Sequence, residues 1–562
     1  MNVTELLSGA VRDALGEAGL PAPSDVAWEV PREARHGDYA TNVAMTMARH
    51  ARRPPRQVAE AIVAHFPKTG AVDRMEIAGP GFLNVFLDPG WCAAALRDIL
   101  VAGEGYGSGA GPGVRHRIEF VSANPTGPLV IVNARAAAVG DALARILRSQ
   151  GAEVLSEYYV NDAGNQFQAL AASMEARLRQ AQGEAAELPE NGYPGEYLLE
   201  LAQGYAAKDA AGARAMLALP DAERRSRLGW YAVHEMVQGQ RRVLEDYGTV
   251  FHQWSHEQAD VRAQGLPERA IAELTARGHT YEEGGALWFR STAFGDDKDR
   301  VLRKSDGELT YFAVDIGFHH FSKFQDTDRV IDFLGPDHHG YIARIKAAMR
   351  ALGHADDAFD VLIVQLVTLL RDGQPVRMSK RRGEFVLMEE LLEEVGRDAA
   401  RFTFLTRRHD SPLEFDLAVA TRQSADNPVY YVQYAHARVC SLLRNAAEQG
   451  VSVPPWRDAA FDALALPEEQ GLIKRLLQYP GLVAGAARAR EPHRVAYYLT
   501  ELAGAFHPYY KAHRVITADP ALTLARLGLC VAVGQVVRSG LALLGVSAPE
   551  SMIRPPAESE SL

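Results

Sequence analysis

The chain has 562 residues, too many for a single hydrophobic core, and its length predicts three or four domains. Hydrophobic residues make up 47% and charged residues 23%, the balance of a soluble globular protein. The formal net charge of −11 provides no global attraction for nucleic acid, although a local basic face can still bind a polyanion.

Three scattered cysteines, Cys92, Cys440 and Cys530, exclude a disulfide framework and a zinc knuckle. No uninterrupted apolar run approaches the ~20 residues that span a bilayer, and the N-terminus lacks the basic start of a secretory signal. We therefore expect a cytoplasmic protein with no membrane segment and no protein-held metal.

Residues 1–108 are predicted to form a first domain. Helical periodicity covers residues 3–20 and 41–66, and residues 74–78 have the pattern of a short strand. The run Gly-Ser-Gly-Ala-Gly-Pro-Gly at 107–113 then predicts a flexible linker and the first domain boundary.

Residues 109–395 are predicted to form an α/β domain. Strand patterns at 117–122 and 153–160 enclose a helix that ends near Ser149, and this βαβ succession predicts a parallel sheet. Residues 167–287 are charged and mainly helical, far more than a βα connection needs, so we expect an inserted subdomain there. Strand patterns return at 300–303, 309–312, 329–334 and 360–364.

Residues 396–562 are predicted to form a separate helical domain. Helical periodicity dominates this stretch, with breaks near residues 451–455 and 519–520.

Glu119-Phe-Val-Ser-Ala-Asn124-Pro-Thr-Gly-Pro-Leu129 follows a predicted strand and precedes a helix. Ligands bind at such strand ends in open parallel sheets. On spacing alone, a ligand-binding loop and an ordinary βα turn are about equally good interpretations.

Two later segments have a similar character. Gly335-Pro-Asp337-His338-His-Gly-Tyr341 favours phosphate or ribose recognition over metal ligation, with helix capping by Asp337 as the competing interpretation. Residues 376–383, Val-Arg-Met-Ser-Lys-Arg-Arg-Gly, combine basic groups with a hydroxyl, which suits the leaving pyrophosphate of a triphosphate. A solvated basic loop is the alternative for that segment.

In this order and spacing, SANPTGPL, YVNDAGNQ, GPDHHGY and RMSKRRG resemble the class I arginyl-tRNA synthetases over nearly the whole chain. HGDYATNVAM at 36–45 and GPGFLNVFL at 79–87 resemble that family's N-terminal additional domain. NPVYYVQYAHAR at 427–438 and ELAGAFHPYYKAHRV at 501–515 resemble its anticodon-binding domain.

The resemblance implies a Rossmann-like parallel-sheet catalytic domain, an α+β N-terminal domain that contacts tRNA and an all-α anticodon-binding domain. It implies an arginine–tRNA ligase that uses ATP and Mg²⁺, with arginine and tRNA(Arg) as partners and a monomeric state. A small-molecule nucleotidylyltransferase of the same fold is disfavoured, because the large helical C-terminal domain would then have no partner.

The resemblance also assigns roles to single residues. Carboxylates and amide oxygens are suitable receptors for a guanidinium, which presents five donors. The implied arginine-binding residues are Glu119, Ser122, Asn124, Tyr311 and Asp315. The implied ATP-binding residues are Gly335, Asp337, His338, Met378 and Lys380, and the implied catalytic residues are Ser379, Lys380 and Asn133.

The sequence departs from the family at the His-Ile/Val-Gly-His signature. Here the chain reads Val130-Ile131-Val132-Asn133, so both imidazoles are missing and a β-branched residue stands where a glycine lets the nucleotide approach. Loss of one transition-state donor typically costs ~10²–10³ in rate. The departure predicts a folded protein with impaired ATP chemistry, and the alternative hypothesis is a non-catalytic paralogue that binds tRNA or arginine as a regulator.

Overall fold

The N-terminal domain is a small α+β unit in the computed structural model, which describes residues 2–376 and 386–552 of the chain. The Asn2 side chain caps the first helix by accepting a hydrogen bond from the Thr4 N–H at 3.1 Å. A three-stranded antiparallel sheet of order β1-β3-β2 packs against the helices. Its elements are α1 (Val3–Glu17), β1 (Tyr39–Thr41), α2 (Val43–Ala51), α3 (Pro55–His65), β2 (Val72–Ala78), β3 (Phe82–Leu87) and α4 (Pro89–Ala102).

The glycine-rich segment at 107–113 is packed, which corrects the prediction of a flexible linker. The Gly109 N–H donates to the Ser149 carbonyl at 2.9 Å, and the Gly111 N–H donates to the Gln150 carbonyl at 3.0 Å. A Cβ on Gly111 would lie 2.3 Å from that carbonyl oxygen. Glycine is therefore used here for close backbone contact rather than for freedom of movement.

The central domain is built on a five-stranded parallel sheet of order β11-β10-β4-β5-β6. The strands are β4 (Arg115–Glu119), β5 (Glu153–Val160), β6 (Gln253–His256), β10 (Arg329–Leu334) and β11 (Phe359–Ile363). The helix α5 (Ile131–Ser149) connects β4 to β5 and buries an Ala-rich face against the sheet. The predicted Rossmann-like parallel sheet is confirmed.

Two insertions interrupt this sheet. The first contains the helices α6 (Gly164–Ala181), α7 (Glu196–Lys208), α8 (Ala210–Leu217) and α9 (Asp221–Asp246). After β6 and α10 (Leu266–Ala276), a second insertion forms an antiparallel sheet of β7 (Thr280–Glu283), β8 (Ala286–Phe289) and β9 (Arg300–Arg303). The predicted helical insertion at about 167–287 is too long, because β6 pairs with β5 in the central sheet.

Two predicted strands end differently in the structure. The strand predicted over 117–122 stops at Glu119, because Val121 and Ser122 have φ of 70° and 38°. The prediction of a strand over 309–312 is wrong from Tyr311 onward, because Tyr311 begins the helix α11 (Tyr311–Phe318). The Thr310 side chain caps that helix by accepting from the Ala313 N–H at 3.4 Å.

The rest of the chain is mostly helical and is joined to the sheet domain by a buried arginine. The Arg401 guanidinium pairs with Asp141 and donates to the carbonyls of Tyr247 and Leu544, at 3.1 Å each. The remaining elements are α12 (His339–Ala351), β12 (Val367–Arg371), β13 (Gln374–Pro375), α13 (Met388–Val395), α14 (Arg397–Phe404), β14 (Leu413–Asp416), α15 (Leu417–Thr421), α16 (Pro428–Glu448), α17 (Pro467–Ala489), α18 (His493–Ala512) and α19 (Pro520–Leu543).

β14 interrupts the region beyond residue 396, for which a loop-to-helical stem and a helical domain were predicted, since this strand pairs with β12. Helix α19 has the length and composition of a membrane span, but 61% of its apolar window is buried inside the fold, as in the core helix of a bundle.

Candidate active site

The candidate site lies at the carboxyl edge of the central sheet, where the strand order reverses. The chain proceeds from β4 outward to β5 and β6, then returns to β10 on the other side of β4. The loops after β4 and β10 therefore diverge and leave a crevice between them, the usual ligand position in such sheets.

The loop after β4 is held in a strained conformation. Val121 and Ser122 both adopt positive φ, which is unfavourable for residues with a Cβ. The Ser122 hydroxyl accepts a hydrogen bond from the Tyr159 N–H at 3.0 Å, and the Gln240 side chain donates to the Asn124 carbonyl at 3.1 Å. These contacts bring Ser122 and the exposed Asn124 to the carboxyl edge of the sheet.

Below this loop, Glu119 is part of a buried charge network. The fully buried Lys323 ammonium lies 2.5 Å from a Glu119 oxygen and 2.6 Å from Asp332 on the neighbouring strand. Burial raises the pKa of Glu119 against the opposing effect of Lys323. For Asp332, burial opposes ionisation, but Lys323 and His319 lower its pKa to about 2. Glu119 thus has a cationic partner before any substrate binds.

Tyr311 and Asp315 lie one turn apart on helix α11, so both face the same side. Tyr311 is 58% exposed, and its hydroxyl lies close to Gly164. A Cβ placed on Gly164 would be only 3.1 Å from that hydroxyl oxygen. Asp315 accepts a hydrogen bond from the Tyr341 hydroxyl. Burial raises the pKa of Asp315 to about 6, with Glu257 and Glu119 adding to the effect of burial.

Three functional candidates at this edge were not predicted from the sequence. Burial raises the pKa of Tyr159, and the nearby carboxylates of Glu257, Asp315 and Glu119 raise it further. Glu257 follows β6 and pairs with Arg262 at 2.7 Å. Asn161 follows β5, and its buried Oδ1 has no hydrogen-bond partner among the described residues.

Together these groups suit a cationic ligand. Among the described residues, the four carboxyl groups of Glu119, Asp315, Asp332 and Glu257 between them form ion pairs with two cations, Lys323 and Arg262, and His319 is also bonded to Asp332. The excess of acceptors would attract a guanidinium, which has donors only. The rule that ligands lie at strand ends could have found Glu257, had β6 been recognised as a strand.

The segment at 130–133 forms the start of α5. The Asn133 Oδ1 accepts a hydrogen bond from the Val130 N–H at 2.9 Å, so this side chain caps the helix. Two backbone hydrogen bonds join this segment to residues 386–388: the Ile131 N–H donates to the Val386 carbonyl at 3.1 Å, and the Met388 N–H donates to the Leu129 carbonyl at 2.9 Å. The Asn133 amide NH₂ is left to serve a ligand.

Arg135, one turn further along α5, is fully buried and fixes this end of the helix. Its guanidinium donates to the carbonyls of Gln365 and Leu366 at 2.8 and 3.2 Å, and of Arg408 and Ser411 at 2.9 and 2.7 Å. Burial lowers its pKa to about 10. The helix that carries the altered signature is therefore tied to the segment between β11 and β12 and to the 406–411 loop.

The loop after β10 forms the opposite wall of the crevice. Gly335 is half-buried, and the side chains of Asp337 and His338 are exposed at the start of α12. After β11, Leu366 is 62% exposed and offers an apolar contact that was not predicted from the sequence. Met378, Ser379 and Lys380 lie outside the described residues. Among the described residues, no three His, Cys, Asp or Glu side chains are grouped as a metal site.

Comparison with known protein families identifies all three regions of the chain. The model for the class I (R) tRNA synthetase catalytic domain matches residues 96–417. The arginyl-tRNA synthetase N-terminal domain matches residues 5–87, and the DALR anticodon-binding domain matches residues 432–552.

Whole-chain relatives agree with these matches. The chain is 49% identical to the arginine–tRNA ligase of Desulfosudis oleivorans, over 94% of this chain and 95% of that protein. It is 47% identical to the arginine–tRNA ligase of Moorella thermoacetica, over 97% of both chains.

The fold also matches solved structures. A Campylobacter jejuni chain described as an arginyl-tRNA synthetase is 31% identical, with a TM-score of 0.75, and covers 83% of this chain and 100% of its own length. The Thermus thermophilus arginyl-tRNA synthetase, at 24% identity and a TM-score of 0.77, supports the fold over 98% of this chain and all of that chain.

Proposed function

Because the chain belongs to the class I arginyl-tRNA synthetase family, we propose that it joins arginine to tRNA(Arg) at the expense of ATP. The observation that carries this proposal is the excess of buried carboxyl groups at the carboxyl edge of the sheet, beside the crevice between β4 and β10. A cationic amino acid held there would have its carboxylate free to face a nucleotide in the crevice.

We assign the arginine side chain to the acidic end of the site. Asp315 and Glu257 would accept from the guanidinium, with Tyr311 along its edge, since a planar guanidinium pairs best with carboxylates. Glu119, Ser122 and Asn124 would contact the α-amino and carboxylate groups. Lys323 would hold Glu119 and Asp332 in position rather than contact the substrate.

ATP would occupy the crevice. Gly335, Asp337 and His338 would contact the ribose and base, and Leu366 would supply an apolar surface for the base. Met378, Ser379 and Lys380 would serve the phosphates, with Mg²⁺ accompanying the nucleotide. Asn133 would offer its amide NH₂ to the phosphates, because its oxygen is occupied by the helix cap.

The reaction would proceed in two steps. The arginine carboxylate attacks the α-phosphate of ATP, which forms arginyl-adenylate and releases pyrophosphate. A hydroxyl of the terminal tRNA ribose then attacks the arginyl carbonyl and releases AMP. Neither step needs a covalent bond to the protein, so the site acts through positioning and charge stabilisation.

We extend the proposal to the partners and the cellular setting. The N-terminal and C-terminal domains would contact tRNA(Arg), the C-terminal one at the anticodon. The protein would act as a cytoplasmic monomer.

The test is AMP formation that requires both arginine and tRNA(Arg). Citrulline, which replaces the guanidinium with a neutral urea of the same shape, should not be activated, because the acidic end would lose its charge partner. Asp315→Asn should lose activity, whereas Asp326→Asn, on an exposed loop, should not. AMP formation with citrulline equal to that with arginine would contradict the assignment, and binding of tRNA without any AMP formation would favour a non-catalytic role.

A further inference from the structure

A buried glutamine interrupts the apolar face of helix α9, in the first insertion. Gln240 is only 2% exposed. The other buried residues of α9 are apolar and lie on the same side of the helix: Leu228, Gly229, Ala232, Val233, Val237 and Leu244. Burial of a side-chain amide costs free energy unless it is hydrogen-bonded. A glutamine at this position therefore needs partners for both its oxygen and its NH₂.

Both ends of the Gln240 amide are bonded around the loop that follows β4. Its NH₂ donates to the carbonyls of Asn124 and Gly127, at 3.1 and 2.9 Å. Its Oε1 accepts a hydrogen bond from the hydroxyl of Tyr158, a fully buried residue of β5, at 2.8 Å. That hydroxyl accepts in turn from the Ala123 N–H at 3.1 Å and lies 3.1 Å from the Ala123 carbonyl oxygen. Gln240 and Tyr158 thus bind the backbone of three residues in the loop.

The loop depends on such support for its shape. Val121 and Ser122 have positive φ, a conformation that persists only where the surroundings hold it. The side chain of Asn124 is exposed and forms no hydrogen bond within residues 2–376 and 386–552. The position of this side chain is therefore set by its backbone, and Gln240 binds that backbone directly.

We propose that Gln240 and Tyr158 are positioning residues for the substrate arginine, which hold the loop so that Asn124 meets the α-amino and carboxylate groups. This proposal rests on the proposed function. Neither residue would touch the substrate, since each is at most 2% exposed. The inserted helices would then contribute to amino-acid recognition, although none of the substrate-contacting residues assigned above lies on them.

The support of this loop is separate from the supports of the other parts of the site. The acidic end for the guanidinium rests on Lys323 and its partners Glu119 and Asp332. The start of α5 is held by residues 386–388 and by Arg135. Loss of the Gln240 amide should therefore weaken contacts to the α-amino and carboxylate groups and leave the guanidinium and ATP contacts in place.

Gln240→Met tests the proposal, because methionine keeps the length of the side chain and removes its hydrogen bonds. By calorimetry, the Kd for arginine should rise roughly tenfold, since the loop loses its bonded position. The Kd for butylguanidine, which has the guanidinium but neither the α-amino nor the carboxylate group, should change less than about twofold. The Kd for ATP should stay unchanged. General damage to the fold would weaken all three ligands together.

Gln180→Met is the matched control. Gln180 lies on α6 of the same insertion, accepts from the Arg177 guanidinium at 2.9 Å and donates to the Ala186 carbonyl at 2.6 Å, away from the loop after β4. This variant should bind arginine like the unmodified protein. If Gln240→Met fails to fold in thermal unfolding, Tyr158→Phe replaces it, because it keeps the ring stacked on Trp254, with centroids 4.2 Å apart, and should show the same difference between ligands.

The outcomes separate this proposal from the proposed function. If the unmodified protein binds arginine and Gln240→Met binds it as tightly as Gln180→Met, the positioning proposal fails alone. Equal weakening of arginine and butylguanidine would also overturn it. If the unmodified protein does not bind arginine, the proposed function fails and the positioning proposal fails with it.

Discussion

Restoring the family signature at the start of α5 should lower the stability of the protein and raise its rate of arginine activation. The variant is Val130→His, Val132→Gly and Asn133→His. It removes the bond between Asn133 Oδ1 and the Val130 N–H, and loss of a helix cap costs about 1 kcal/mol. A glycine inside the first turn costs roughly 0.5–1 kcal/mol more. We therefore expect the free energy of unfolding to fall by about 2 kcal/mol.

The same variant should gain activity. Two imidazoles would again be available to the phosphates, and each preorganised donor typically contributes ~10²–10³ in rate. Contributions from neighbouring donors do not add fully, so we expect a gain of about two orders of magnitude or more. The assay is arginine-dependent exchange of pyrophosphate into ATP with tRNA present, together with thermal unfolding.

Asn133→Ala is the matched control for this experiment, because it removes the cap without supplying an imidazole. It should lose about 1 kcal/mol of stability and gain no activity. If the triple variant unfolds, Val130→His alone can be assayed instead, because it supplies one imidazole and keeps the Asn133 cap. Equal exchange rates in the unmodified and restored proteins would refute the reasoning, since they would mean that other donors already serve the phosphates.

Three further changes test the buried charges. The pKa of Asp315 is raised from 3.8 to about 6, so the neutral form stabilises the free protein, and this contribution to stability is lost as the pH rises through 6. Because the proposed contact with arginine needs the ionised carboxylate, calorimetry should show weaker arginine binding below about pH 6. Asp315→Asn should remove this pH dependence of binding. Lys323→Met leaves Glu119 and Asp332 without their cation and should lower the free energy of unfolding in urea by about 3–5 kcal/mol. An unchanged free energy of unfolding would contradict a stabilising role for this network. In Arg135→Lys the ammonium cannot reach all four carbonyl oxygens, so the free energy of unfolding in urea should fall by about 2 kcal/mol. An unchanged urea midpoint would contradict this expectation.

The inner strand Arg329–Leu334 could be predicted because it is an apolar run with turn residues at its boundaries. The edge strand β6, Gln-Trp-Ser-His, could not, because it has little apolar pattern and depends on pairing with β5. Tyr311–Phe318 is a short apolar run that fits a strand or a helix, and the cap at Thr310 decides for the helix.

The site could be predicted only where a residue type or a family motif marked it. Asp315 and Asn124 were expected from the resemblance. Lys323 was not, because a lysine in a polar turn usually lies in solvent, and its burial depends on the adjacent positions of β4 and β10. Glu257 was not predicted because it follows β6. Only the pairing of β6 with β5 places this residue at the carboxyl edge of the sheet.

The start of α5 explains how the chain can keep its fold without the signature histidines. The helix is held by a backbone bridge to residues 386–388, by the Asn133 cap and by the Arg135 guanidinium, and none of these contacts needs an imidazole. The acidic pocket that we propose for arginine rests on a different network, around Lys323 and Asp332. A change at 130–133 can therefore alter contacts to ATP while leaving the fold and amino-acid recognition intact, and for this reason binding of arginine and its activation should respond separately to mutation there.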